Sequence, residues 1–380
     1  MEAWMPDFQA DLGWLVAHDR GFMYKAGVDE AVEWMRARLD QLGCTLQFFP
    51  SETTGNVIAG TLKGRGHGKY LLIAHLDTVW PEGTAAEWPL RVEGHKAYGP
   101  GSVDNANGSL TGLYALKLLQ DLGYDDFDEV TLVCNGDEES GSLFSGQVIR
   151  QLARGCDAAF CLEAPGHPNE IVAQRAGSMG VELHVKGKRA HSQVEPEKGS
   201  NAILELSHKI IAAHQLKGDD DVLLALVVTT RGGPQSGMVP DDARALFDIR
   251  FAKIEDMQYV EARFREIADR NWVAGTSTTL STLLYHPPME RLPGTARLVE
   301  LAQAMGKELG IKLEDTYRGS VTDGSFATVE GVPTLCGLTP WGAGHHTRDE
   351  WLDLSQVVPR VTLVTGLVAA SSVDTRIFVG

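Results

Sequence analysis

Residues 70–80 read YLLIAHLDTVW. The apolar run from Tyr70 to Ala74 is typical of a strand buried on both faces of a parallel sheet. It ends at His75 and Asp77, whose side chains point the same way in an extended chain. A neutral imidazole binds zinc through one nitrogen while a carboxylate accepts its other N–H. The stretch therefore predicts a buried strand that delivers a metal-ligand pair, against the alternative of a solvated loop.

Strands and helices alternate on both sides of this stretch. Strand-like apolar runs lie at 44–50, 56–62, 129–135, 157–163 and 332–338. Helical apolar spacing occurs at 6–20, 29–43, 110–123, 143–154, 295–310 and from residue 354. Such alternation is typical of an open α/β sheet with helices on both faces.

A different pattern occupies residues 177–287. Its predicted elements follow the order strand, helix, strand, strand, helix, strand, which is that of a ferredoxin-like module. In its third strand, ARALFDIRF (243–251), apolar and polar residues alternate, as in a sheet with one buried face. We therefore expect a discontinuous α/β domain of residues 1–176 and 288–380, with an α+β domain of residues 177–287 inserted into it.

Composition excludes some classes of partner. The 380-residue chain has 51 acidic and 34 basic residues and a net charge of −17, which argues against binding a nucleic acid. No apolar run approaches the ~20 residues of a membrane span, and the acidic N-terminus lacks a signal-peptide pattern. The 5 cysteines form no C-x-x-C pair and are expected as reduced, core-filling thiols. These features predict a cytoplasmic protein without a membrane partner.

Candidate metal ligands recur where predicted strands end. In chain order they are His75, Asp77, Asp104, Glu138, Glu139, Glu163, His345 and His346. All except Asp104, which lies in a glycine-rich loop, end a predicted strand or follow one within a few residues. In open α/β sheets, ligands bind outside the carboxyl ends of the strands. Scattered surface acids would not recur at that edge, so we predict a single site there.

The residue types favour zinc. Histidines and carboxylates without a cysteine pattern are typical of a hydrolytic site. If Asp104 bridges two metals, two ligand sets follow: His75, Asp104 and Glu163, and Asp104, Glu139 and His346. Of the neighbours Glu138 and Glu139, one then binds metal and the other stays free as general base, as metal-assisted hydrolysis requires.

Six motifs carry a resemblance to a known family. They are HLDT (75–78), GPGSVDNANG (99–108), DEES (137–140), LEAPG (162–166), AHS (190–192) and HHTRDE (345–350). In this order they resemble the di-zinc peptidases that include glutamate carboxypeptidase, aminoacylase and succinyl-diaminopimelate desuccinylase, over nearly the whole chain. The resemblance implies an open mixed sheet like that of di-zinc aminopeptidases and phosphorylases. It also implies that the insert is a lid and dimerisation domain.

The resemblance assigns the metal ligands. They are His75, Asp104, Glu139, Glu163 and His346. Two zinc ions per subunit are implied, with cobalt or manganese as substitutes. His346 has Glu350 four residues later, which is the family's spacing, and His345 is the alternative ligand.

The resemblance also implies the remaining roles. Asp77 orients the first histidine ligand, and Glu138 is the general base. His191 stabilises the oxyanion, within its own subunit or across a dimer. Arg250 matches an arginine that binds the substrate's carboxylate in the glutamate carboxypeptidase branch. Because relatives have a cis peptide bond after the bridging aspartate, we expect one after Asp104.

Two positions depart from the family's pattern. After the bridging aspartate the chain reads NANG (105–108), where the family often has a Lys-Gly-Gly-like turn. Gly237 stands where family members often carry an asparagine that helps to hold the substrate or its oxyanion. The second departure leaves the preferred substrate open.

These expectations describe a zinc-dependent hydrolase. It would cleave a peptide or N-acyl amino acid amide bond next to a free carboxylate, as glutamate carboxypeptidases do. An N-acyl amino acid deacylase resembling aminoacylase is the alternative within this class. A non-catalytic metal-binding relative is the alternative outside it, and the intact base Glu138 argues against that. A small substrate and a second copy of the chain, in a homodimer, are the expected partners.

Overall fold

The computed structural model describes residues 2–216, 224–233 and 236–374. The chain forms two units. Unit 1 consists of Met1–Gln174, Met289–Arg318 and Thr322–Gly380, and unit 2 of Arg175–Pro288 and Gly319–Val321. Unit 2 therefore interrupts unit 1 in sequence. The insert predicted from the sequence spans residues 177–287 and does not include Gly319–Val321.

Helices and strands alternate along most of unit 1 and within unit 2. The first part of unit 1 contains α1 (Met5–Val16), α2 (Lys25–Gln41), β1 (Thr45–Phe49), β2 (Val57–Lys63), β3 (Lys69–His75), α3 (Thr84–Glu87), β4 (Arg91–Glu93), β5 (Lys96–Tyr98), α4 (Asn107–Asp121), β6 (Glu129–Asn135), α5 (Ser145–Ala153), β7 (Ala158–Cys161) and β8 (Glu170–Arg175). Unit 2 contains β9 (Gly177–Lys186), α6 (Ala202–His214), β10 (Leu224–Gly232), β11 (Asp242–Phe251), α7 (Ile254–Asp269) and β12 (Ser277–His286). The return to unit 1 adds α8 (Pro293–Glu308), β13 (Glu314–Arg318), α9 (Gly324–Val329), β14 (Thr334–Leu335), β15 (Gly342–Ala343), β16 (Trp351–Asp353) and α10 (Val357–Val373).

The main sheet of unit 1 has the strand order β1-β2-β6-β3-β7-β14. β3 pairs in parallel with β6 and β7, and β14 pairs in parallel with β7, whereas β1, β2 and β6 pair antiparallel. The predicted open mixed sheet is confirmed. His75 lies opposite Asn135 in the register of β3 and β6, so the carboxyl ends of these two strands meet at one edge.

Apolar cores lie on both faces of the main sheet, which explains why apolar and polar residues do not alternate along β3. Leu72 belongs to the core that contains residues of α4 and α10. Leu71 and Ile73 belong to the other core, which contains residues of α5 and α9. Successive residues of a strand point to opposite faces, so a strand covered on both faces must be apolar throughout. Full burial of each such side chain stabilises the fold by about 1.5–3 kcal/mol.

The last helix has the composition of a membrane span. Residues Leu354–Val373 are long and apolar enough for one, with a mean hydropathy of 1.3, and 50% of that window is buried inside the protein. No uninterrupted run of this length is predicted from the sequence, since Pro359 and Arg360 lie within the segment. α10 packs against α4 and α8, and this packing accounts for its apolar residues as those of a core helix.

Unit 2 is a ferredoxin-like module, as predicted. Its sheet has the order β10-β11-β9-β12, and every pair is antiparallel. The alternating residues of β11 are buried in one apolar core, which also contains Val260 and Phe264 of α7. The sequence predicts the second strand of this module at 221–230, and the first three of these residues lie outside the described residues.

Two small sheets were not predicted. One has the order β15-β16-β5-β4, and the other pairs β13 with β8. The strands of the first have only two or three residues, too few to show a period. Trp351 of β16 lies opposite Tyr98 of β5, so this sheet joins the chain just before the Asp104 loop to the chain just after the His346 loop.

The five cysteines are free thiols, and four of them are buried. Cys156 alone is partly exposed. The predicted core-filling role is confirmed for the four buried cysteines.

Candidate metal centre

Three side chains converge at the carboxyl edge of the main sheet. His75 ends β3, Asp104 lies between β5 and α4, and Glu163 follows β7. His75 Nε2 lies 3.2 Å from Asp104 Oδ1 and 3.5 Å from Glu163 Oε1. The ligand atoms of the three residues lie within 4.8 Å of one another, an arrangement that can hold a metal ion.

A second group of three residues shares Asp104. His346 Nε2 lies 3.1 Å from Asp104 Oδ2 and 3.4 Å from Glu139 Oε2. These ligand atoms also lie within 4.8 Å of one another. Because the two oxygens of Asp104 face different groups, one carboxylate can bridge two metal ions. The structure thus brings together all five residues that the sequence analysis named as ligands.

His346 has a backbone conformation that is unusual outside glycine. Its φ is +61°, in the left-handed region, which costs an L-residue roughly 1–2 kcal/mol. A tight turn holds it, because Thr347 N–H donates to Gly344 O at 2.9 Å. Arg348 packs over the ring of Trp80 at 5.7 Å from its centroid. The loop therefore presents His346 from a constrained turn.

Asp77 contacts the histidine and both glutamates. Its Oδ1 lies 3.3 Å from His75 Nδ1, on the side of the ring away from the ligand groups. The same carboxylate accepts the backbone N–H of Glu138 at 3.2 Å and of Glu139 at 2.9 Å. The predicted orienting residue thus also fixes the start of the loop that carries the two glutamates.

Glu138 lies beside the ligand groups but belongs to neither. Its Oε2 is 4.0 Å from His75 Nε2, and 14% of its side chain is exposed. Burial raises the pKa of Glu138 well above its ordinary value, and the nearby Asp323 and Glu163 carboxylates raise it further, against the effect of His75. A carboxyl group in this position can hold a proton that a less buried glutamate would lose.

The donor set fits divalent metal ions. His75 Nε2 and Glu139 Oε1 are among the buried side-chain atoms of the described residues that have no hydrogen-bond partner, and each belongs to one of the two ligand groups. The carboxylates of Asp104 and Glu139 raise the pKa of His346 to about 10, so the group attracts positive charge. Imidazole and carboxylate ligands without thiolate are typical of catalytic zinc.

Asn105 has a contact that the sequence analysis missed. Its Nδ2 donates to Glu163 Oε1 at 3.2 Å, and its Oδ1 accepts the N–H of Gly108 at 2.8 Å. The Asp104–Asn105 peptide bond is cis, which confirms that prediction. The role of Asn105 could have been predicted from its position directly after the bridging aspartate, in the segment whose sequence differs from the family's usual turn.

The loop with both glutamates is held from a distant part of the chain. Asp323 accepts Asn135 Nδ2 at 2.7 Å and also the hydroxyl of Ser142. Asn135 and Asp323 are 188 residues apart in sequence. No local pattern marks Asp323, so sequence reasoning had no signal for it.

The other predicted site residues lie in unit 2. His191 is exposed, and its Nδ1 accepts the N–H groups of Gln193 and Val194, each at 3.2 Å. Ser192 N–H donates to Gly237 O at 3.0 Å. The segment that carries His191 therefore pairs with the segment that carries Gly237, the position that departs from the family's pattern. Arg250 donates to Asp248 at 3.2 Å, and 33% of its side chain is exposed.

Comparison with known proteins agrees with this geometry. Residues 71–370 match Peptidase family M20/M25/M40. The chain is 30% identical to carboxypeptidase G2 of Pseudomonas sp. (strain RS-16) over 347 residues, which are 90% of this chain and 84% of that protein. The aminopeptidase PepT of Bacillus cereus ATCC 10987 has a TM-score of 0.82 at 21% identity, covering 97% of this chain and 99% of that one. A dinuclear metal-binding peptidase of the M20 family from Bacillus subtilis has a TM-score of 0.72 at 14% identity, covering 98% and 99%.

The fold and the match to this family identify a hydrolytic enzyme of the metallopeptidase and amidohydrolase class. The chain belongs to Peptidase family M20/M25/M40.

Proposed function

We propose that this enzyme is a zinc-dependent hydrolase that cleaves a peptide or N-acyl amino acid amide bond next to a free carboxylate, as a glutamate carboxypeptidase does. The observation that carries the proposal is Glu138, a carboxylate beside two ligand groups that share one aspartate. The 30% identity to carboxypeptidase G2 supports release of a carboxylate-bearing residue.

The two ligand groups hold the metal ions in this proposal. They are His75, Asp104 and Glu163 for one ion, and Asp104, Glu139 and His346 for the other. Zinc bound there supplies Lewis acidity and lowers the pKa of a water molecule, and cobalt or manganese can substitute for it. The metal-binding peptidase from Bacillus subtilis supports two ions per subunit.

Glu138 moves the proton. It accepts one from the attacking water as the water oxygen bonds to the carbonyl carbon, and it donates that proton to the leaving amine as the C–N bond breaks. Asp77 keeps Glu138 in place through the backbone N–H. No other described side chain is needed for proton balance.

His191 and Arg250 are the proposed substrate contacts. Because His191 Nδ1 accepts two backbone N–H groups, the neutral ring carries its proton on Nε2 and can donate it to an oxyanion. Arg250 offers a planar fork for the substrate's carboxylate.

Zinc content and a substrate panel test the proposal. We expect two zinc ions per chain and chelator-sensitive hydrolysis of N-acyl glutamates and dipeptides. Amidating the free carboxylate of the best substrate should lower kcat/KM strongly. Bound zinc without turnover on the whole panel would support a non-catalytic relative. Equal cleavage of free and amidated substrates would refute the carboxylate requirement.

N-acyl amino acid deacylation is the second candidate, and Gly237 favours it. Its φ is +87°, and a Cβ there would meet no described atom within 4 Å. The position thus lacks the side chain that relatives offer to the substrate, and the space is open to varied acyl groups. Faster hydrolysis of aliphatic N-acyl amino acids than of peptides or N-acyl glutamates would establish this alternative.

We also propose that unit 2 pairs two copies of the chain. Large apolar side chains are exposed on α6 and on the edge strand β10: Ile203, Leu204, Ile211, Leu226 and Val228. Exposed apolar side chains on an edge strand and a helix can be covered by a second copy of the chain, and two-fold dimers are the commonest assemblies. Light scattering should show a dimer that Ile211→Asp converts to a monomer. A wild-type monomer at working concentration would remove this role.

A further inference from the structure

Glu350 is a buried carboxylate with four hydrogen-bond donors around it. The residue is 1% exposed. Its Oε1 accepts the backbone N–H of Val103 at 3.0 Å and of Asp104 at 3.1 Å. Its Oε2 accepts the backbone N–H of Gly101 at 3.0 Å and the indole N–H of Trp80 at 3.2 Å. Each carboxylate oxygen of Glu350 thus faces two hydrogen-bond donors, which suits an ionised carboxylate because it accepts hydrogen bonds and donates none.

These bonds connect segments that carry different ligand groups. Glu350 follows His346 by four residues and ends the same loop. The three backbone N–H groups that it accepts belong to the loop of Asp104, the residue that both ligand groups share. Glu350 O also accepts Gly99 N–H at 3.4 Å. The carboxylate therefore fixes the Asp104 loop against the His346 loop.

Arg20 extends the connection to β3. It is 2% exposed, and its guanidinium donates to Leu76 O, directly after His75, at 2.5 Å and to Gly101 O at 3.5 Å. Gly101 is thus bonded on both sides, by Glu350 at its N–H and by Arg20 at its carbonyl. Three ligand-bearing segments are tied together behind the metal groups.

We propose that Glu350 is a positioning residue that sets the geometry of Asp104 relative to His346 before any metal binds. The inference rests on the ligands assigned under the proposed function. Glu350 belongs to neither ligand group, and it acts through the backbone of the loop that carries the shared ligand.

Glu350→Gln is the decisive change because it keeps size and removes one acceptor. The glutamine amide must point its NH₂ group at one of the two donor pairs, so that donors face donors. The side with Gly101 and Trp80 is the only one with a side-chain donor. Trp80→Phe removes that donor, and it should therefore partly relieve Glu350→Gln when the two are combined.

Hydrogen exchange on metal-free protein measures the positioning directly. We expect the amides of Gly101, Val103 and Asp104 to be protected in the wild type and to exchange faster in Glu350→Gln. Zinc affinity, measured by chelator competition, and kcat should fall by about 10–100-fold, as for other residues that support metal ligands. KM should change little, because the substrate contacts are untouched.

Glu87→Gln is the matched control. Glu87 pairs with Arg348 of the same loop at 3.1 Å, and 71% of its side chain is exposed. This variant removes a surface ion pair and leaves the buried carboxylate in place, so exchange and zinc affinity should equal those of the wild type.

The proposal would be overturned if Glu350→Gln had the same amide exchange rates and zinc affinity as the wild type. It would also be overturned if the losses of zinc affinity in Glu350→Gln and Trp80→Phe were strictly additive in the double variant. If Glu350→Gln does not fold, unprotected amides at 101, 103 and 104 in the metal-free wild type would overturn it equally. A wild type that binds no zinc would instead overturn the proposed function, and the metal-free exchange comparison would still decide the role of Glu350.

Discussion

The main sheet of unit 1 and the sheet of unit 2 bury their side chains differently. From Tyr70 to His75, β3 is buried throughout, whereas in β11 buried residues alternate with partly or fully exposed ones. A strand covered on both faces has room for polar chemistry only where it ends. A strand with one open face can carry charged groups along its length, as Arg244 and Arg250 show. Unit 1 therefore gathers its ligands from a strand end and from loops, and unit 2 presents its candidate substrate contacts from a strand and a turn.

The largest expected effect is that of Glu138→Gln in unit 1. The change removes the proposed base and leaves all five ligands, so kcat should fall by about 10²–10⁴-fold while zinc content stays at the wild-type level. Steady-state kinetics and metal analysis check both parts. Glu93→Gln, an exposed change on β4, is the control. Activity of the Glu138 variant within about tenfold of the wild type, less than a general base contributes, would refute the role.

Core substitutions in the two sheets should separate the units. Leu72→Ala in β3 should destabilise unit 1 by about 2–5 kcal/mol, and Phe247→Ala in β11 should destabilise unit 2 by about 3–5 kcal/mol, because each leaves a cavity in a closed core. Calorimetry together with limited proteolysis assigns each loss to its unit. We expect the Phe247 variant to keep its zinc at temperatures where unit 1 is folded. Loss of zinc in that variant would show that the two units do not act separately.

Arg250→Lys should have a smaller effect. A lysine cannot form the two parallel bonds of an arginine to a carboxylate, and charge-assisted bonds contribute about 1.5–3 kcal/mol. The value of kcat/KM should therefore fall by about 10–100-fold with unchanged zinc content. Arg244→Lys, on the same face of the same strand, is the matched control and should leave kinetics unchanged. Equal losses of kcat/KM in both variants would show that charge on this face of the sheet matters in general, and would contradict a specific role for Arg250.

The same contrast explains how far the sequence could be interpreted. Composition alone places β3 in the core, and the strict alternation of β11 identifies a one-sided sheet. The five ligands stood out because each lies at a strand end or in a glycine-rich loop. Asp323 and Arg20 did not, because their partners are distant in sequence and their importance comes from buried contacts with backbone or loop groups. The strands of the sheet with the order β15-β16-β5-β4 are too short to show a period in their apolar residues.

The smallest expected effect concerns the open face of unit 2. Hydrogen bonds from His184 and Lys186 lower the pKa of Asp242 to about 2. Because this pKa is below that of the unfolded chain, the stabilisation is present above about pH 4. It is lost as the pH falls through about 2. Asp242→Asn should therefore destabilise unit 2 at pH 6, by less than about 1 kcal/mol since the pair is largely exposed.

Urea unfolding at pH 6 and at pH 3 checks this prediction. The difference between wild type and Asp242→Asn should shrink at the lower pH, and added salt should reduce it at pH 6. A difference that grows on acidification would contradict the lowered pKa.

The insertion of unit 2 into unit 1 has a consequence for biosynthesis. A ribosome releases the chain from its N-terminus, and domains fold as they emerge. His75, Asp104 and Glu163 all precede the insert, so the first ligand group is complete before unit 2 is made. His346 and the core helix α10 arrive only after unit 2 has been synthesised. The nascent chain can therefore offer one ligand group early, whereas the other must wait until His346 has been synthesised, after the whole of unit 2.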